Sequence, residues 1–144
     1  MQAVQPMSGF RLLEHTADIG IEAWGPTQSN LFEQAALGLR HLLVGTSQVT
    51  HNQQHQVHLD AEDAGELLVA WLNEIIFLFE TQNLIPGEFR VERTNENELR
   101  AVIHAEPYTP ERHVVEHQVK AATYHQLSLE QGSDGWHARI YLDL

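Results

Sequence analysis

Residues 67–79, LLVAWLNEIIFLF, set the frame for the rest of the chain. Leu68, Leu72, Ile75, Ile76 and Phe79 recur at helical spacing, and Leu67, Trp71 and Leu78 widen that stripe until only Asn73, Glu74 and Glu80 form a polar edge. A helix this apolar has to be buried on most sides. Asp60 and Asp63 suit the exposed amides at its start, and Glu62 and Glu66 favour the positive end of its dipole. The run is too short for a bilayer and is broken by Asn73 and Glu74, so no membrane span is expected.

A chain of 144 residues can bury one full core and is short for two, so we expect a flexible lead-in over residues 1–9 and a single domain over 10–144. Its 20 acidic and 8 basic residues give a formal charge of -12, which opposes direct capture of a nucleic-acid backbone. The basic residues are scattered and form no stripe, so a role near RNA would run through a protein partner. The absence of cysteine excludes disulfides, thiolate metal sites and cysteine nucleophiles. The opening MQAVQPMSGF lacks the basic segment and apolar run of a secretory signal, the pattern expected of a cytoplasmic protein.

Strand character runs over 10–14 and 19–24, where Ile19, Ile21 and Ala23 alternate with Gly20, Glu22 and Trp24 before Gly25 and Pro26 end the run. His15, Thr16, Ala17 and Asp18 form the junction between these strands, a place where side chains can converge. A second helix follows, capped by Thr27 or Ser29, with Leu31, Phe32, Ala35, Ala36, Leu39 and Leu42 inward and Gly38 allowing close packing. Residues 46–54 read as loop, Val57 and Leu59 as a short strand, and Pro86-Gly87 as a turn after the central helix. Phe89 and Val91 begin a strand, and 99–105 alternates like one with a single buried face. Residues 115–121 read equally as strand or short helix. A hairpin joins 126–130 to 136–142 through Gly132-Ser133-Asp134-Gly135, putting Trp136, Ala138, Ile140 and Leu142 on one face and His137, Arg139, Tyr141 and Asp143 on the other. The expected architecture is α+β in two layers, a mixed or mainly antiparallel sheet packed against two principal helices.

Two places can carry chemistry. At the first junction, Asp18 offers a hard oxygen ligand suited to calcium or magnesium, whereas His15 would bias a site toward zinc. Asp18 capping a turn and His15 bonding across it is the other reading, and the residues alone leave both open. At the other end of the chain, Asp143 and the final Leu144 place two anionic groups in succession, which beside Asp18 would repel unless a cation joined them. A solvated terminus is again the alternative. The ten histidines supply no ligand motif: His51, His55 and His58 sit in or beside a polar loop, and His113 and His117 are four apart without the residues of a helical zincin site, so all are expected to face solvent. No phosphate-binding loop or nucleophile elbow is present.

The ordered set FRLLEHTADIGIEAWGPTQSNLFEQAALGL, ELLVAWLNEIIFLFET and VKAATYHQLSLEQGSDGWHARIYLDL resembles the archease family over nearly the whole chain. The resemblance implies the archease-like fold and a non-catalytic accessory protein of the RNA-splicing ligase RtcB, which joins tRNA halves in tRNA splicing. Such a protein promotes guanylylation of the ligase and its multiple turnover, and broadens the nucleotides the ligase accepts. It further implies a divalent metal, calcium foremost, held by Asp18 of the HTAD motif and by Asp143, with Leu144 as a further ligand through a terminal or backbone oxygen. His15 would support those ligands from behind. The histidine- and proline-containing stretch 108–117 departs from the family pattern, which bears on the partner surface more than on the fold. A general chaperone or modulator is the second reading, and a metal-dependent hydrolase a third that lacks a visible base, nucleophile and substrate site.

Overall fold

The computed structural model describes residues 8–14, 18–50 and 53–144. Its elements in chain order are β1 (Gly9–Glu14), β2 (Ile19–Gly25), α1 (Gln28–Val44), β3 (Gln53–Asp60), α2 (Ala64–Gln82), β4 (Leu84–Thr94), β5 (Glu98–Pro107), β6 (Ala121–Ala122), β7 (Ser128–Gly132) and β8 (Gly135–Asp143). The strands divide into two sheets rather than one. A five-stranded sheet runs β1-β2-β8-β6 with β7 also on β8, and a three-stranded sheet runs β3-β5-β4. Every pairing among them is antiparallel. The two helices pack against both sheets, which is the expected α+β, two-layer arrangement.

The central helix α2 is as buried as its composition demands: Leu67, Leu68, Trp71 and Leu72 have no exposed surface. Asp63 caps it, its carboxylate accepting from the Glu66 amide at 2.8 Å, while Glu66 reaches back to the Glu62 amide at 3.1 Å. Asp60 takes no part in the cap and instead closes β3. At the other end Asn83 adopts a left-handed conformation (φ 53°) that lets its amide return to the Leu78 carbonyl. Trp71 ties the helices together, its indole N–H donating to the buried Phe32 carbonyl at 2.9 Å.

Helix α1 is capped by Thr27, which accepts from the Asn30 amide, and lies on β2 through Gly38. A Cβ at Gly38 would stand 2.8 Å from Ile21 Cγ2, so only glycine permits this approach. Pro86 and Gly87 do not form a turn. They lie inside β4, where the register against β5 slips between Pro86 and Glu88. A bulge absorbs the missing proline N–H and the glycine as readily as a turn does. Residues 108–120 form neither strand nor regular helix and cross the end of α1, the Glu116 amide donating to the Leu43 carbonyl at 2.7 Å.

Candidate functional site

The antiparallel register of β2 and β8 brings the start of β2 beside the end of β8. Ile19 pairs with Leu142, so Asp18, one residue before that pair, and Asp143, one residue after it, flank the same end of the five-stranded sheet. Asp143 is exposed, Asp18 half-buried and Leu144 39% exposed. Among the described residues neither aspartate takes part in an ion pair. On the far side of β8, β6 pairs Ala121 with Asp143, and the Lys120 amide donates to the Asp143 carbonyl at 2.7 Å. The backbone that carries Asp143 is therefore held from both sides. His15 lies outside the described residues. Among the described residues, the carboxylates of Asp18 and Asp143 are oxygen donors of the kind a hard divalent ion takes.

Cross-strand pairing also builds a cluster that the sequence conceals. Glu22 sits between Arg11 on β1 and Arg139 on β8. Although on the sheet face away from α1, it is 5% exposed. Arg11 donates to one carboxylate oxygen, through Nε at 2.9 Å and through Nη2; His137 meets the other at 2.6 Å and Arg139 lies 3.7 Å away. Burial pushes the Glu22 pKa up, but the hydrogen bonds and charges of Arg11 and His137 outweigh it and hold the carboxyl below its usual range. Arg11, Glu22 and His137, with Trp24, Asp134 and Trp136, line an open depression of about 390 Å³. Both oxygens of its buried carboxylate are already engaged within the protein. Arg11 and Arg139 stand far apart in sequence, and only the strand register could have revealed the cluster.

Three further side chains could hold a divalent ion. His58, Asp60 and Glu98 each offer a ligand atom within 4.8 Å of the others, on the outer face of the three-stranded sheet. His58 Nε2 stands 2.8 Å from Glu98, while Arg93 at 3.7 Å and Arg100 at 3.5 Å compete for the same carboxylate. Those guanidiniums make the group equally complete as an ion-pair network.

His113 does not face solvent. It is 2% exposed and meets Glu106 at 2.5 Å, because Glu106, next to last in β5, is itself buried and needs donors. Thr50 and Arg112 supply two more, at 2.5 and 3.0 Å. With both ring nitrogens of His113 occupied, the trio of Thr50, Glu106 and His113 has no free base to activate a nucleophile. His117 is exposed, its Nδ1 3.0 Å from the Leu42 carbonyl, and His51 lies outside the described residues.

The model of the Archease protein family (MTH1598/TM1083) matches residues 10–144. Protein archease of Methanosarcina acetivorans is 40% identical over 139 residues, covering 94% of this chain and 95% of that one. Protein archease of Pyrococcus furiosus is 33% identical over 135 residues, covering 91% and 95%. The solution structure of Methanobacterium thermoautotrophicum protein 1598 is similar at a TM-score of 0.80 and 31% identity, covering 94% of this chain and 99% of that one. The Thermotoga maritima crystal structure described as an archease and possible chaperone shares the fold at a TM-score of 0.57 and 21% identity, covering 100% and 99%.

Proposed function

The chain belongs to the archease family, and from that premise we propose that it is a non-catalytic activator of the RNA-splicing ligase RtcB, promoting ligase guanylylation and multiple turnover. The family itself supports an accessory rather than an enzymatic role. The observation that carries the finer reading is the pairing of Ile19 with Leu142, which sets Asp18 and Asp143 at one end of the sheet. We assign those two carboxylates, with Leu144 through a terminal or backbone oxygen, as ligands of a divalent cation, calcium foremost. To His15, which lies outside the described residues, we give the supporting role that the family motif implies.

When bound, such an ion supplies a fixed positive charge on which phosphoryl oxygens can gather. This chain's own residues do the rest. Asp18 and Asp143 present carboxylates at an exposed edge that a partner's nucleotide pocket can admit, and β6 with the Lys120 amide keeps the Asp143 backbone from fraying. The charge of -12 leaves RNA contact to the ligase and favours a basic partner. Broader nucleotide use by the ligase would follow from the same contact. We place this work in the cytoplasm and in the single domain 10–144.

A second reading, a general chaperone, draws on the exposure of Phe77 (51%) and Tyr124 (60%), apolar surface that could hold unfolded clients. Single- and multiple-turnover guanylylation and RNA joining by the cognate ligase, at matched divalent-ion concentration, separate the two. Acceleration at substoichiometric amounts of this protein, lost in Asp18→Ala and Asp143→Ala, supports the activator. Suppressed aggregation of unrelated clients without any effect on an active ligase overturns it.

A further inference from the structure

Asn73 interrupts the most apolar helix of the chain, and its partner explains why. Its side-chain amide makes two reciprocal bonds to one residue of β6: the Ala122 N–H donates to Asn73 Oδ1 at 2.8 Å, and Asn73 Nδ2 donates to the Ala122 carbonyl at 3.3 Å. Ala122 is 5% exposed and belongs to a strand of two residues. One edge of that strand lies on β8, through Ala121 with Asp143 and Ala122 with Leu142. The Ala122 N–H and C=O turn the other way, toward α2, where no strand exists to receive them. Buried backbone groups left unpaired are costly. A carboxamide offers one donor face and one acceptor face, as a neighbouring strand would, and asparagine is short enough to present both from a half-buried helix position.

We propose that Asn73 is a positioning residue for the carboxylate end of the molecule, acting through β6 on Asp143; the proposal rests on the cation site assigned above. Residues on either side of Ala122 grip the last residues of β8: the Lys120 amide donates to the Asp143 carbonyl at 2.7 Å, and both the amide and the hydroxyl of Thr123 donate to the Tyr141 carbonyl, at 3.0 and 3.1 Å. So short a strand has little pairing of its own to keep it in register. Asn73 supplies the missing edge from a helix anchored in the core. The side chain touches neither Asp18 nor Asp143 by any hydrogen bond, so its influence on them passes through the backbone of 120–123.

The test uses the full chain, with terbium(III) as a luminescent probe for a calcium-type oxygen site and calcium as its competitor. Asn73→Leu removes both bonds at similar volume, and Asn73→Asp keeps the acceptor for the Ala122 amide while losing the donor. Loss of groups that orient metal ligands commonly weakens affinity by about 10–100-fold. We expect a weakening in that range for Asn73→Leu, a smaller one for Asn73→Asp, unchanged far-ultraviolet circular dichroism in at least the second, and faster hydrogen exchange at Ala122 and Leu142 in both. In an Asp143→Ala background the Asn73 substitutions should cost nothing further, a non-additivity that a merely destabilising change would not produce. Wild-type terbium affinity in both folded Asn73 variants, with Asp143→Ala still measurably weakening binding, overturns the inference alone. If the wild-type chain binds no terbium or calcium, the cation site itself falls, and the inference falls with it.

Discussion

Inside the protein, His113 Nε2 faces a carboxylate oxygen of Glu106 across 2.5 Å. The tautomer follows from the other nitrogen: the Thr109 amide donates to Nδ1 at 3.0 Å, so Nδ1 must carry the lone pair and Nε2 the hydrogen given to Glu106. The pair fastens the irregular segment 108–120 to the end of strand β5, with the Tyr108 ring stacked on the imidazole at 5.9 Å.

Removing one side of this contact should be expensive. In Glu106→Ala the Thr50 hydroxyl, the His113 N–H and Arg112 lose a common acceptor in a place water does not reach freely. Leaving buried donors without their acceptor costs about 1–3 kcal/mol. Urea denaturation should find Glu106→Ala destabilised in that range, with His113→Leu adding much less than its single-variant cost in the Glu106→Ala background.

Acid should unfold the protein through the same carboxylates. Burial pushes Glu106 up, but hydrogen bonds from Thr50 and His113 and the charge of Arg112 hold it below the usual 4.5, and Glu22 is likewise lowered by Arg11 and His137. A carboxyl whose folded pKa is depressed binds protons more readily in the unfolded chain, so its contribution is complete above 4.5 and lost as pH falls through the folded value. The urea midpoint should therefore drop with pH below 4.5, and Glu106→Gln, already less stable at neutral pH, should show a shallower drop.

What could be read from the residues was local. The cap of α1 at Thr27, the burial of α2 and the close approach at Gly38 each follow from neighbours within a turn or two of helix. The alternation in β8 was equally legible, save that Tyr141, on the outward face, is 6% exposed because its ring lies over Gly20, where a Cβ would meet it at 2.7 Å. Glu22, His113 and Asn73 could not be read this way, since each finds its partners on another strand or segment. Pro86-Gly87 misled for a different reason: the pair satisfies a turn and a bulge alike, and pairing with β5 decides between them. That Asp18 and Asp143 flank the same cross-strand pair has no signature in either segment and follows only from the register of β2 against β8.

The contact at Gly38 gives a test of the packing between α1 and the sheet that carries the candidate site. Gly38→Ala gains helix propensity of about 1 kcal/mol, but the new methyl stands 2.8 Å from Ile21 Cγ2 and 3.2 Å from Phe10 Cδ2. Ile21 is fully buried on the central strand pair and has nowhere to retreat. Overpacking of this kind costs about 1–3 kcal/mol, so the net change is a loss of stability, measured as a lower thermal midpoint.

A cation at the end of the sheet should be visible as stability before any ligase is added. Without an ion, the carboxylates of Asp18 and Asp143 flank one cross-strand pair and repel, so Asp143→Asn should match or slightly exceed the wild-type chain in a chelator. With calcium the order reverses. An ion that binds only the folded chain stabilises it by about 2.7 kcal/mol at a hundredfold excess over its dissociation constant, a rise of roughly 8 °C for a chain this size. Differential scanning calorimetry across a calcium titration should therefore show the wild-type midpoint climbing while that of Asp143→Asn stays flat, and chelation should return the two to the same order as before. Parallel curves for the two proteins would remove Asp143 from the ligand set and leave the group of His58, Asp60 and Glu98 as the remaining place among the described residues for any calcium the chain takes up.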